Sequence, residues 1–380
     1  MASFQKRGKT WQYCVSAKPK PIRKGGFKTK KEAMIAAAEV EAKLSKNVPV
    51  VVKEIPFDEY FEKWVNLYKQ KVSDSTLSHY GYTLQEIREF FGSKPIQKIQ
   101  RHDYQEFLNN YGSTKSKVSV EKLHSHIKAC VEDAVEEGII KINFTRKAVK
   151  TWTVQAKRDE EKYLNYLDSK KLTRELYKRL DRGLGYYLLL LGLTSGLRFG
   201  ELVGLTRKDF NFFNNTITVN KTWGYAKRHP EGFGPTKNEQ SKRVIKINKG
   251  TMTVFRRLFE KMPSNIHGLV FYSPSSKYKI ISNTNVNNLL KKVLTDLKID
   301  PIITVHGLRH THASVLLYRK VSIHYISERL GHADIETTSK VYAHLIKELR
   351  EQDESETVNI FEEMAGEGVE NTEEIEGVLV

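Results

Sequence analysis

His306-Gly-Leu-Arg309-His-Thr-His-Ala-Ser314 is the stretch on which the reading of this chain turns. His306 and Arg309 stand three apart at a predicted helix start, so their side chains share one face. Upstream, 108 residues before His306, Arg198 sits in Thr194-Ser-Gly-Leu-Arg198-Phe-Gly-Glu201-Leu, directly after the apolar run Tyr186 to Leu193. That run predicts a buried helix, and Leu197 to Leu205 a second. Thr216 to Lys221 and Lys242 to Ile247 read as strands, with Asn214-Asn215 as turn chemistry before the first. Helices are predicted from there to about residue 349. Downstream lie Leu330-Gly-His332-Ala-Asp and, ten residues after His332, Tyr342 in Lys340-Val-Tyr-Ala-His-Leu. Residues 163–350 thus form one α+β domain.

Three further regions surround it. In residues 1–50 the alternation of Trp11, Tyr13 and Val15 with Gln12 and Cys14 has the period of a half-buried strand. Gly8-Lys9 predicts a hairpin turn and Gly25-Gly26 a break. Thr29-Lys-Lys-Glu32 is a capping box opening a helix with Ala33, Ala36, Ala37, Val40 and Leu44 on one face. A three-stranded sheet with one helix is expected. Residues 47–55 read as a linker or short extended segment. Residues 55–145 carry helical stripes: Phe57, Phe61, Trp64 and Tyr68; Leu77, Tyr80, Leu84, Ile87 and Phe91, closed by Gly92; Arg101 to Asn110; and Val120, Leu123, Ile127, Val131 and Val135, ended by Gly138. These aromatic stripes read as core rather than as base-stacking platforms. Residues 146–162 read as a basic linker and 351–380 as an acidic tail. The fold class is multidomain, mainly α with small β elements.

The chain has 380 residues, 63 Lys+Arg against 45 Asp+Glu, and a net charge of +18. The last 30 residues hold eleven acidic residues and no Lys or Arg, so residues 1–350 carry 63 − 34 = +29. Such an excess suits a polyanion whose phosphates are neutralised with release of counterions. Residues 1–53 alone have thirteen basic and three acidic side chains. Lys6, Arg7, Lys18, Lys20, Arg23, Lys24 and Lys28 would present a charged sheet face to a DNA groove, and Lys115, Lys117 and Lys150 are further candidates for phosphate contacts. The longest apolar run is far short of the roughly 20 residues that span a bilayer. The N-terminus has no secretory pattern. Cys14 and Cys130 make neither a disulfide framework nor a zinc cluster. A soluble cytoplasmic protein with an anionic partner is expected. The tail could solvate, mimic DNA, or dock on a neighbouring subunit, and its Val358-Asn-Ile-Phe361 insert leans towards docking.

Breaking a phosphodiester without water or metal needs a nucleophile, charge stabilisers, a base and an acid. A tyrosine hydroxyl can attack phosphorus and hold the broken strand covalently. Tyr342 has a free pKa of about 10, so it needs a basic neighbour or a positive field. Two guanidiniums can clamp the non-bridging oxygens of a pentavalent transition state, a role that fits Arg198 and Arg309. His306 with His310 and His312 could suggest a metal site, but this chemistry needs no metal and no carboxylate cluster accompanies them. No cofactor is expected.

The order Arg198, Lys237 (39 residues on, in Pro235-Thr-Lys-Asn-Glu-Gln-Ser-Lys-Arg-Val), His306-x-x-Arg309, His332 (23 residues after Arg309) and Tyr342 resembles the catalytic set of the tyrosine recombinases, the phage-integrase family. The resemblance covers the third domain. It implies that Tyr342 is the nucleophile, that His306 assists its proton transfer, that His332 donates to a non-bridging oxygen and that Lys237 protonates the departing 5′ oxygen. Glu201 would orient the cluster from behind. Lys242 competes with Lys237 for the acid role, and Tyr318 or Tyr325 with Tyr342. Gly307 departs from the family's usual Asp, which is expected to remove a helix-start contact and slightly loosen His306 without loss of activity. The first two domains resemble arm-site and core-site DNA-binding domains of integrases from phages and conjugative elements. The implied activity is site-specific integration and excision of a mobile element by a homotetramer on double-stranded DNA, with an excision factor and a bending protein as further partners. A topoisomerase-like enzyme and a DNA-binding regulator on the same scaffold are the alternatives.

Overall fold

The computed structural model describes residues 2–17, 20–45, 54–226, 231–336, 338–339 and 354–364. They belong to two compact units, residues 1–156 and 157–380.

In the first unit, strands β1 (Ala2–Arg7), β2 (Thr10–Val15) and β3 (Ile22–Phe27) form an antiparallel sheet in the order β1-β2-β3. Helix α1 (Lys30–Ser45) packs on it, with Tyr13, Val15, Ala37 and Val40 as the buried centre. Thr29 Oγ1 accepts from the Glu32 amide at 3.2 Å, while the Glu32 carboxylate reaches back to the Lys28 amide at 3.0 Å. The capping box is therefore shifted by one residue on its carboxylate side. Gly25-Gly26 does not break the chain. Both glycines lie inside β3, next to a register irregularity between Trp11 and Tyr13, where a bulge absorbs them.

Helices α2 (Phe57–Tyr68), α3 (Asp74–Phe91), α4 (Arg101–Gly112) and α5 (Lys117–Glu136) follow the four predicted stripes. Their shared core holds Phe57, Phe61, Trp64, Ile87, Phe91, Phe107, Leu123 and Ile127. Each such side chain contributes about 1.5–3 kcal/mol by leaving water. The stripes end where polar tips find partners: the Trp64 indole donates to Asp133 at 2.5 Å, and the hydroxyls of Tyr60 and Tyr68 to Glu137 at 2.9 and 3.0 Å. After α5 the chain runs back along α4. The Gln105 side chain accepts from the Val149 amide at 2.8 Å and donates to its carbonyl at 2.7 Å, and Val154 N donates to Lys115 O. Much of the stretch read as linker is thus strapped to the helical bundle.

The second unit is built around helix α7 (Leu184–Ser195), whose Leu188, Leu189, Leu190 and Leu191 are all fully buried. Helices α6 (Tyr166–Lys178), α8 (Phe199–Val203), α9 (Lys249–Lys261), α10 (Asn283–Asp296) and α11 (Val305–Tyr318) pack on it. Helix α12 (Ile323–Leu330) follows α11. Strands β4 (Phe210–Asn211), β5 (Thr216–Val219) and β8 (Arg243–Lys246) form one antiparallel sheet, and β6 (Thr222–Trp223) with β7 (Phe233–Gly234) a two-stranded one. Asn215 takes the left-handed conformation (φ 53°) that the Asn-Asn turn requires. Between α9 and α10 the chain is not helical. It forms irregular turns with bridges at Thr206–Leu269 and Tyr272–Ile280. Residues 354–364 are helical, with Val358, Ile360, Phe361 and Met364 exposed.

Candidate active site

Arg198 is the N-cap of α8, and its position follows from a forced turn. Gly196 caps α7 in the left-handed conformation (φ 70°), and a Cβ there would lie 2.7 Å from the His312 ring. The chain then presents Arg198 half-buried. Its Nη1 donates to Glu201 Oε1 at 2.9 Å and Ser241 Oγ at 3.2 Å, and its Nη2 to the Gly331 carbonyl at 3.1 Å. One guanidinium therefore ties α8, the loop before β8 and the turn before His332 together.

Glu201 is only 1% exposed. Besides Arg198 it accepts from Arg243 Nη2 at 3.0 Å. Burial pushes its carboxyl up, but the charges and hydrogen bonds of Arg243 and Arg198 outweigh that and hold it below the usual carboxylate range. Arg243 also donates to Arg329 O at 2.7 Å and Ser241 O at 2.6 Å. Sequence reasoning missed Arg243. Its one signal was the Ser-Lys-Arg-Val context at the start of a predicted strand.

Arg309 is buried on α11, and its Nη1 donates to the Gly196 carbonyl at 2.9 Å. His306, at the first turn of α11, sets its ring edge-on to His310 at 4.8 Å. Loss of water around the ring, then the charges of Arg309, Arg198 and Lys237, lower its pKa. His332 follows the left-handed Gly331 that ends α12, and its Nδ1 lies 2.7 Å from the Oγ1 of buried Thr338. Loss of hydration, then Arg309 and Arg198, lower His332 to about 4. Arg198, Arg309, His306 and His332 thus share one positive field, and Lys237, exposed on the loop after β7, adds to it at His306.

Lys242 instead pairs with Glu239 at 2.9 Å. Tyr318 stacks on Tyr166 at the far end of α11, about 18 Å along the helix from His306. Tyr325 lies in the first turn of α12, at the opposite end from Gly331. Tyr342 lies outside the described residues. A cleft of about 450 Å³ opens beside His332, between Gln240, Lys242 and Arg243 on one side and Ser327 and Glu328 of α12 on the other.

Gly307 has a physical reason. A Cβ there would meet Ile303 at 2.8 Å and the Lys162 carbonyl at 2.9 Å, so the backbone passes too close for Asp. The helix start is capped all the same, because Thr304 Oγ1 accepts from the Gly307 amide.

On the small sheet, the register divides the basic residues that sequence alone placed on one charged face. Arg7 pairs with Thr10 and Arg23 with Cys14, on the same face as Gln5 and Gln12, whose amides are joined at 3.2 Å. Lys6 pairs with Trp11 and Lys24 with Tyr13, on the face that receives α1. Lys20 and Lys28 lie outside the strands, and Lys18 falls outside the described residues. In the helical part Lys115 lies over Tyr111 and Lys117 over Trp152, while Lys150 is 3.8 Å from Glu121.

Residues 145–348 match the model of the phage integrase family, residues 56–111 that of the phage integrase N-terminal SAM-like domain, and residues 3–44 that of an arm DNA-binding domain. The chain belongs to the phage integrase family, the tyrosine recombinases, enzymes that cleave and rejoin DNA. It is 27% identical over 341 residues to the integrase of Staphylococcus phage L54a, covering 82% of this chain and 95% of that protein. It is also 27% identical over 279 residues to the ICEBs1 integrase of Bacillus subtilis (strain 168), covering 68% and 70%. Among solved structures it resembles the Tn1549 transposon integrase in complex with transposon right end DNA (TM-score 0.63, 18% identity, 78% of this chain and 99% of that one). It also resembles a lambda integrase dimer bound to a core site (TM-score 0.56, 15% identity, 87% and 91%). No helix among the described residues is long and apolar enough to cross a membrane.

Proposed function

We propose that this recombinase integrates and excises a mobile element by site-specific strand exchange, with Tyr342 as nucleophile. The observation that carries the reading is the bonding that gathers the set: Arg309 donates to the Gly196 carbonyl two residues before Arg198, and Arg198 donates to the Gly331 carbonyl directly before His332. A phosphodiester bound there would place its non-bridging oxygens between the two guanidiniums, where developing charge is worth most. His306, whose pKa is lowered first by loss of water and then by the Arg309, Arg198 and Lys237 charges, is suited as a neutral imidazole to take the Tyr342 proton. His332 is held through Nδ1 by Thr338, and in the tautomer that carries its proton on Nε2 it donates a hydrogen bond from there to a non-bridging oxygen. Lys237 protonates the departing 5′ oxygen. Tyr342 Oη bonds to phosphorus as the bond to the 5′ oxygen breaks, giving a 3′-phosphotyrosine and a free 5′ hydroxyl. A 5′ hydroxyl from the partner duplex then reverses the step, so bond energy is conserved and no ATP is required.

In this reading the small sheet binds arm sites and the helical bundle binds core sites. Four protomers act on two duplexes in the cytoplasm. Two tethered DNA-binding parts raise effective concentration without new contacts. The test is Tyr342→Phe on a nicked suicide duplex. Specific binding is retained and no covalent protein–DNA adduct forms, whereas an adduct from this variant would remove Tyr342 from the nucleophile role.

A further inference from the structure

Three side chains from α11 and α12 take up carbonyls at the end of α7. His312 Nδ1 lies 2.8 Å from Leu193 O, Arg329 Nη2 donates to Thr194 O at 3.3 Å, and Arg309 Nη1 donates to Gly196 O at 2.9 Å. Two of the three donors are cations at the negative end of a helix dipole, where positive charge is favoured. Arg309 belongs to the candidate active site. His312 and Arg329 do not, and they are joined to each other: Arg329 Nε donates to His312 Nε2 at 2.9 Å. The third nitrogen of that guanidinium, Nη1, donates to Lys246 O at 3.0 Å, at the end of β8.

The chemistry of the imidazole fixes its form. A carbonyl can only accept, so the Nδ1 facing Leu193 carries the proton. A guanidinium can only donate, so the Nε2 facing Arg329 is bare. His312 is therefore neutral and a single tautomer. Its burial, with the Arg329 charge next, agrees by lowering its pKa to about 3. Every nitrogen of Arg329 is engaged by protein, on α7, β8 and α11, so the side chain is committed to holding these elements together rather than to a phosphate.

We propose that Arg329 and His312 are positioning residues for strand cleavage: they fasten the end of α7, and with it Arg198 two residues beyond Gly196, to the helices that bring Arg309 and His332. The proposal rests on the recombinase reading above. Arg198 enters through the α7 terminus, Arg309 through α11 and His332 through the end of α12. The Arg329–His312 pair touches all three. A Lys at 329 keeps a charge and one direction of donation but loses the planar fork that serves three acceptors at once. An Asn at 312 can still donate to Leu193 O, but its Oδ1 falls short of the Nε2 position that accepts from Arg329.

The experiment uses the full chain with a nicked suicide duplex spanning the element's own end, and compares wild type, Arg329→Lys and His312→Asn. The expected result is adduct formation slowed on the order of 10²-fold in both variants, the scale of a misplacement of about 1 Å at reacting groups. Duplex affinity and the melting transition stay near those of wild type. Ring ¹⁵N spectra of wild-type His312 should show the neutral Nδ1–H tautomer from pH 5 to 8, and Arg329→Lys should disturb it. Unchanged cleavage in both variants would overturn the proposal. So would a loss of rate that merely follows losses in melting and binding, or an Nε2–H tautomer in the wild type. A wild type that forms no adduct although its His312 spectrum is as expected would sink the recombinase reading, and the positioning role with it.

Discussion

Arg309 reaches back 113 residues along the chain to donate to the carbonyl of Gly196 at 2.9 Å, two residues before Arg198. One guanidinium of the candidate clamp thereby helps to place the backbone from which the other projects. Loss of Arg309 is then expected to damage the site twice, through its own charge and through the position of Arg198.

Lys237 lies on an exposed loop, yet its charge acts on His306. Lys237→Ala should slow cleavage by about 10²–10⁴-fold, the range for a lost general acid. A duplex with sulfur in place of the 5′ bridging oxygen leaves without protonation and should restore most of the rate. If sulfur does not rescue it, the acid is another group.

Glu201 is a buried carboxylate held between Arg198 and Arg243. Arg243→Ala leaves that charge with one partner and should destabilise the chain by roughly 3–5 kcal/mol in urea unfolding. Replacing both partners by neutral residues of similar volume, as in Glu201→Gln with Arg243→Met, should cost less than Arg243→Ala alone. A double variant at least as unstable as the single would mean that packing around Arg243, not its charge, supplies the stability.

His312 gives stability a defined pH dependence. Its folded pKa of about 3 lies below the unfolded value of about 6.5, so between the two the unfolded chain binds more protons. Its contribution is fully present above pH 6.5, declines by up to about 1.4 kcal/mol per unit as pH falls, and is exhausted near pH 3. Glu201, held below the usual carboxylate range, adds its own loss only at lower pH. Between pH 6.5 and 5 wild type should therefore lose about 2 kcal/mol more than His312→Asn. Equal losses would show that His312 titrates in the folded protein.

The sheet register predicts unequal roles for its basic residues. Arg7→Ala and Arg23→Ala, on the face bearing Gln5 and Gln12, should each weaken binding to arm-site duplexes and reduce the salt slope by about one. Lys6→Ala and Lys24→Ala should change both less. Fluorescence anisotropy across a salt series measures this, and equal effects from all four would place the DNA elsewhere.

What the sequence made readable follows from range. Helix stripes, the Asn-Asn turn and the Thr29 cap are local, and α2, α3, α5 and α7 lie where periodicity put them. The spacing of Arg198, His306, Arg309 and His332 carried the family resemblance, because that order has few other uses. Arg243 and Arg329 escaped notice, and His312 was weighed only as a metal ligand, because their partners are backbone carbonyls and side chains brought together only by tertiary packing. The Gly25-Gly26 pair misled for a related reason: the same glycines that break an isolated strand fit a bulge against Trp11 and Tyr13. Gly307 is intelligible only once the Lys162 backbone is seen beside it.

Thr338 is fully buried, and its hydroxyl is joined to His332. Tyr342 follows four residues later, and four residues of fully extended chain reach at most about 14 Å. In the proposed reading the nucleophile is therefore leashed, through four residues of chain, to the same threonine that holds His332. A change at Thr338 would then reach both the histidine it anchors and the tether of the proposed nucleophile.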